Sequence, residues 1–174
     1  MDTLLITVAI GDEYLKRYKA LFYENHKSYA IKCGYDIKIV TDFLDKNNQH
    51  ASFISLQKSL VCSQEFSQKH KKIIYVDADI LFNIQTATPI HLLAQNEKIY
   101  IADEYTQPTQ DVRLEIQRLN HWERTATDYY ALAGLNLKTK SVLNTGLMIF
   151  DPVIHRKILE DIYIEAVRKG LNHP

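Results

Sequence analysis

Net charge is missing from this chain. Its 21 basic and 21 acidic side chains cancel at pH 7, and neither sign gathers into a long block. Nucleic acid is therefore disfavoured as the main partner, since phosphate binding wants a basic excess. No apolar run approaches the roughly 18 residues that suggest a membrane span. The opening Met1-Asp2-Thr3-Leu4-Leu5-Ile6 carries no basic stretch and reads as entering a strand at once, which argues against a secretory signal. Cysteine is scarce. Cys33 and Cys62 fall in helical stretches without metal-type spacing, and they read as reduced thiols of a cytoplasmic protein rather than a disulfide. The seven histidines form no metal-spaced pair. Neither the glycine spacing of a dinucleotide fingerprint nor a P-loop occurs, which argues against NAD enzymes and NTPases. There is no G-x-S-x-G elbow, no internal repeat, no low-complexity tract and no Pro/Gly/Ser linker.

What is present alternates. At 174 residues, with 46% apolar and 24% charged side chains, the chain has the size and composition of one soluble globular domain. Residues 4–9 read as a strand, and Gly11-Asp12 turns into one helix carrying Leu15, Tyr18, Leu21, Phe22 and Tyr29. Gly34 ends that helix, and 37–41 form a second strand. A polar loop leads to a second helix through Phe53, Leu56, Leu60, Val61 and Phe66. A third strand covers 73–76, Thr88-Pro89 starts a further helix, and 98–102 form a fourth strand ending at Asp103-Glu104. Regularity weakens over 105–140, where Val112, Ile116 and Leu119 sketch a helix and Trp122, Tyr129 and Tyr130 follow in a polar context. It returns at 142–152, and 155–170 read as an amphipathic helix capped by Gly170. Such alternation predicts a three-layer α/β domain around a mostly parallel sheet with right-handed crossovers.

The densest signal is Ile73-Ile74-Tyr75-Val76-Asp77-Ala78-Asp79. The apolar run reads as a strand buried on both faces. Side chains two apart on a strand point the same way, so Asp77 and Asp79 leave its end together, with bases roughly 6–7 Å apart. Like charges that close repel unless a cation or donors lie between them. A divalent metal at the carboxyl end of a central strand satisfies both conditions, and open α/β sheets place their ligands there. Hard oxygen donors suit Mn2+ or Mg2+, and Mg2+ favours few carboxylates supplemented by substrate phosphates. The plain alternative is two solvated acids at a turn, and a bare Asp-x-Asp is common by chance.

Other positions say less alone. Asn144-Thr145-Gly146 enters a second apolar run; Gly146 allows close backbone approach and Asn144 offers donor and acceptor, although a loop entering a strand explains the same letters. Lys58, between Leu56 and Leu60, is equally readable as a solvated charge. Thr7, Ala9, Gly11 and Tyr14 line the end of the first strand and the helix after it, where a nucleotide base commonly lies. Asp103, Glu104 and Asp128 are candidate bases. Trp122, Tyr129 and Tyr130 read first as core and boundary residues, and in an irregular segment could instead stack on a sugar ring.

Together, Ile6-Thr7-Val8-Ala9-Ile10-Gly11-Asp12, Lys58, Ile74-Tyr75-Val76-Asp77-Ala78-Asp79-Ile80-Leu81 and Leu143-Asn144-Thr145-Gly146-Leu147-Met148-Ile149-Phe150 resemble the GT-A glycosyltransferases, particularly families 8 and 34. The likeness covers about residues 4–152. It implies a metal-dependent transferase that moves a sugar from a nucleoside-diphosphate donor, usually a UDP-sugar, to a glycan, lipid-linked or protein acceptor. It implies Mn2+ (or Mg2+) between the carboxylates and the diphosphate, with Asp79 the direct ligand and Asp77 on ribose and metal. Thr7, Ala9 and Tyr14 would hold the base, and Lys58 would lie near the phosphates. Asp103 and Asn144 would face the donor sugar, while Gly11, Ala78, Thr145 and Gly146 complete the donor site. Residues 1–174 would form one such catalytic domain, cut short at the C-terminus, with 1–103 binding the nucleotide-sugar and 104–174 on the acceptor side. A third metal ligand, often His, is implied from further along; His155 and His173 are the late histidines. The alternative is a non-catalytic nucleotide-sugar-binding domain of a larger glycosyltransferase. A sugar-nucleotide pyrophosphorylase would need a Gly-rich, Arg-containing loop that Gly11-Asp12-Glu13-Tyr14 does not supply. A haloacid dehalogenase phosphatase carries its Asp-x-Asp after the first strand, not the third.

Overall fold

The computed structural model describes residues 2–95, 97–106, 109–121, 125–132 and 134–170. They divide into two compact units, Met1–Tyr100 with Gly146–Pro174, and Ile101–Thr145. The second unit coincides closely with the stretch in which the sequence loses its regular alternation.

The first unit is built on β1 (Thr3–Val8), a strand buried at every position. It pairs in parallel with β2 (Asp36–Val40) on one side and with β3 (Lys72–Val76) on the other. Parallel strands covered on both faces are expected to be continuously apolar, and β3 has four buried positions in its five. β5 (Leu143–Phe150) then runs antiparallel to β3, Ile74 facing Ile149 and Val76 facing Leu147. With β4 (Tyr100–Asp103), the strand order is β2-β1-β3-β5-β4. The sheet is therefore mixed: β1 pairs in parallel with both β2 and β3, and β5 runs against β3. A buried apolar run reads the same in either direction, so its letters fix burial but not polarity, and the long connection from 104 to 142 permits either sense.

Where periodicity predicts one helix from Gly11 through Tyr29, there are two, α1 (Asp12–Leu21) and α2 (Tyr23–Cys33), broken at Phe22. The break serves two packing sites. Tyr18 and Phe22 gather on Ala9 and Ala78, while Tyr29 and Ala30 pack on Leu5, Ile74, Val76 and Ile149. Gly34, at φ +69°, donates to the carbonyls of Ala30 and Ile31 and ends α2 as expected. The second expected helix is instead a pair of 3₁₀ segments (Ala51–Phe53 and Ser55–Ser63) followed by the short α3 (Glu65–Gln68). Buried Gln57 accepts there from the Leu44 and Asp45 amides, fixing the polar loop before it. Where Thr88-Pro89 predicts a helix start, a 3₁₀ turn forms over Ile90–Leu93.

The second unit holds α4 (Gln110–Leu119), capped by Thr109, and α5 (Ala126–Leu132), with Tyr105, Ala126 and Val142 as its core. In the first unit α6 (Arg156–Lys169) packs on the 3₁₀ stretch, and Gly170 caps it. No described helix is long and apolar enough to cross a membrane.

Candidate active site

β3 delivers Asp77 to the end of the sheet, where two backbone bonds hold it. Its amide donates to the Gly146 carbonyl (2.7 Å) and its carbonyl accepts from Ile80 (3.2 Å), closing a tight turn around Ala78 and Asp79. The side chain is about one-third exposed. One oxygen, Oδ1, is claimed twice: the Tyr75 hydroxyl donates to it at 2.5 Å and the Lys58 ammonium lies 3.4 Å away. Lys58 also stands over the Tyr75 ring at 5.3 Å, so its charge meets both carboxylate and π-face. Burial, then the charge and hydrogen bond of Asp77, push the Tyr75 phenol far above its usual range. Tyr75 therefore acts only as a donor here.

Asp79 differs. It is exposed, and among the described residues it takes part in no hydrogen bond or ion pair. With Ala78 it lines a small cavity of about 50 Å³, walled by Tyr14, Arg17, Tyr18 and Phe22. Tyr14 has a raised pKa from partial burial and from the negative charges of Asp79 and Asp77, with Arg17 acting in the opposite direction. The phenol thus lies in the field of the aspartate pair.

The structure brings Tyr14, Ala78 and Asp79 to one cavity and puts Lys58 in contact with Asp77, with Gly146 behind the turn. Thr7 and Ala9 do not line that cavity. Both side chains are shut in the core, and the Thr7 hydroxyl has no hydrogen-bond partner among the described residues. Gly11 is exposed just before α1, at φ +98°. Sequence reasoning passed over Tyr75 and Arg17. Their signal was spacing: Tyr75 is two before Asp77 on a strand, and Arg17 is three after Tyr14 on a helix.

The second unit holds the other candidates. Asp103 accepts from the Tyr105 amide (3.0 Å), the Ser141 hydroxyl (2.9 Å) and the Val142 amide (3.3 Å), so its carboxylate ties the chain after β4 to the approach to β5. Glu104 pairs with Arg113 and accepts from Asn144 at 3.4 Å. Asp128 and Thr125 cap α5 reciprocally. Asn144 and Thr145 are exposed. A cavity of about 480 Å³ in this unit is lined by Tyr105, Gln117, Asp128 and Lys140 among others. Tyr129 and Tyr130 meet edge to face; Trp122 and His173 lie outside the described residues. His155 is buried beside Asp151, whose amide donates to its Nδ1.

Among the described residues no group of three or more His, Cys, Asp or Glu side chains is gathered as a metal cage. The donors at the end of β3 are nonetheless of the right chemistry for a hard divalent ion. Asp77 Oδ2 accepts no hydrogen bond among the described residues, and neither oxygen of Asp79 does.

No protein-family model and no curated protein sequence matches the chain. Among solved structures it is similar to a glycosyltransferase involved in the glycosylation of the major capsid of PBCV-1, with a TM-score of 0.59 and 11% identity. The match covers 95% of this chain and 66% of that one, so the chain spans about two thirds of its length. The likeness is one of fold: the mixed α/β architecture described above is shared with a glycosyltransferase.

Proposed function

We propose that the chain is a GT-A glycosyltransferase of the type of families 8 and 34. It would transfer a sugar from a nucleoside-diphosphate donor, a UDP-sugar by preference, to a carbohydrate or glycosylated acceptor. Asp79 carries the reading. An unpartnered, exposed carboxylate stands beside a second that Tyr75 and Lys58 hold by one oxygen, at the end of a central strand. That leaves three carboxylate oxygens for a cation. Asp77 and Asp79 would hold Mn2+ or Mg2+, and phosphate oxygens would supply the remaining ligands. Such an ion, when bound, offsets the charge that develops on the leaving nucleoside diphosphate. The shared fold supports the class of reaction.

The chain's own groups would then position the donor. Lys58, already paired with Asp77, would present positive charge to the diphosphate. Tyr14 and Arg17 offer a ring and a guanidinium plane to the base or ribose, with Gly11 leaving room before α1. Asp103 and Asn144 are assigned to the donor sugar, and Thr145 to the donor site, on the resemblance alone. In the transfer the bond from the anomeric carbon to phosphate breaks, a bond to the acceptor oxygen forms, and the acceptor proton passes to a base.

The test is UDP release from UDP-sugars in the presence of Mn2+. Turnover that depends on both and is lost in Asp79→Asn is the expected result. The absence of a third gathered ligand among the described residues favours a second reading, a nucleotide-sugar-binding domain without catalysis. Mn2+-dependent UDP binding without turnover would select it. No Mn2+-dependent UDP binding at all would sink both.

A further inference from the structure

The stretch that carries Asp79 has little secondary structure of its own. From Asp77 to Pro89 the backbone forms only turns and irregular chain, so its polar groups need partners elsewhere. One side of α2 supplies them. Asn25, His26, Tyr29 and Lys32 stand at i, i+1, i+4 and i+7, close enough in angle to share a helix face. Asn25 takes both backbone groups of Phe82, donating from Nδ2 to its carbonyl (2.9 Å) and accepting its amide at Oδ1 (2.8 Å). His26 Nε2 lies 2.7 Å from the Ile80 carbonyl. Tyr29 donates to Thr88 (2.7 Å) and accepts from Ile90 (3.2 Å). Lys32 donates to Ile84 (2.7 Å) and Ala87 (2.9 Å). The Phe82 ring stacks on Tyr29, centroids 3.9 Å apart, and meets His26 at 5.7 Å.

His26 is the member nearest the site. It is fully buried. Facing a carbonyl, Nε2 must carry the proton, so Nδ1 accepts from the Tyr18 hydroxyl at 3.1 Å. Tyr18 is itself a wall of the cavity that Asp79 lines. One ring therefore ties that wall to the residue following Asp79. Burial holds the His26 pKa below its usual 6.5, against the pull of the Ile80 carbonyl, which keeps this tautomer in place.

We propose that α2 is the positioning element of the aspartate turn: His26, through the Ile80 carbonyl, and Asn25, through Phe82, hold Asp79 where it can take a divalent ion together with a nucleoside diphosphate. Neither side chain need touch the ligand. The ligand named rests on the function proposed above; the clasp rests only on the hydrogen bonds.

The experiment measures Mn2+–UDP affinity by calorimetry, melting temperature, and amide hydrogen exchange at Phe82, in wild type and four variants. His26→Phe, which keeps a ring and removes the donor, should weaken binding about tenfold or more, as outer-shell changes at metal sites do. His26→Gln, which restores an N–H toward Ile80, should recover most of it. Asn25→Leu, at a half-buried position that tolerates change more readily, should weaken binding and speed Phe82 exchange. Lys32→Met, at the far end of the row, should bind as wild type does. Wild-type affinity in His26→Phe and Asn25→Leu would overturn the proposal. So would losses that merely follow melting temperature, with no rescue by His26→Gln. Should wild type take up no Mn2+–UDP, the proposed function fails and exchange alone judges the clasp. Slow Phe82 exchange that Asn25→Leu releases sustains it, and fast exchange in wild type overturns it.

Discussion

A single carboxylate oxygen separates the roles of the two aspartates. Asp77 Oδ1 is spent on Tyr75 and Lys58, whereas Asp79 is left to solvent. Asp79→Asn keeps the volume and removes the charge, so it should abolish Mn2+-dependent UDP binding with little change in melting temperature. An exposed side chain without partners contributes little to the fold. His26 carries the opposite burden, stability with a defined pH dependence. Its folded pKa is depressed by burial while its unfolded value is the usual 6.5, so below pH 6.5 the unfolded chain binds the proton more readily. The stability tied to neutral His26 is therefore present above pH 6.5 and lost as pH falls toward the depressed value. Urea midpoints at pH 5, 6 and 7 should drop more steeply in wild type than in His26→Gln; equal slopes would refute this. At this scale the sequence displayed the aspartates plainly, because an acid pair after an apolar strand is rare enough to notice. It concealed His26 and Asn25, because a polar residue on a helix is ordinarily solvated, and only the tertiary fold lays an irregular segment against that face.

Elements were legible in proportion to how far local chemistry decides them. Gly34 and Gly170 ended helices as read, both in left-handed geometry. The strands at Thr3–Val8, Asp36–Val40 and Lys72–Val76 fall within a residue or so of their apolar runs. Decisions made by packing were not legible: the break at Phe22, the 3₁₀ path of Ser55–Ser63, and the direction of β5. Gly11 gives this scale its prediction. It sits at φ +98° and ψ +137° before α1, and an added Cβ would meet nothing within 4 Å. Any cost of Gly11→Ala is therefore backbone strain, about 1–3 kcal/mol for a conformation that L residues rarely adopt. At Gly34 the conformation is ordinary left-handed helix, also with open space, and Gly34→Ala should cost less, about 1 kcal/mol. Denaturant unfolding of the two variants should rank them in that order. A reversed order would mean that the turn into α1 relaxes and that the geometry at Gly11 is not demanded by its surroundings.

For the whole molecule, the lapse of periodicity between 105 and 140 was the visible trace of a second unit, Ile101–Thr145. That 146–174 rejoin the first hundred residues is not written in the letters, since nothing in a run of apolar residues names the strand it will pair with. The candidate cation donors, the Tyr14–Arg17 cavity and the α2 clasp all belong to the first unit. Ligand binding should thus be read directly in the stability of that unit. If Asp77 and Asp79 hold an ion that also binds a diphosphate, each partner raises the other's affinity, and the effect is reciprocal. Mn2+ alone or UDP alone should move the melting temperature little, and the two together far more than their sum. At a hundredfold excess over Kd the gain is about 2.7 kcal/mol, a rise of several degrees for a chain of this size. EDTA should erase it, as should Asp79→Asn. Independent, additive shifts from Mn2+ and UDP would place the two ligands at separate sites, and the aspartate pair would then be no more than the solvated end of β3.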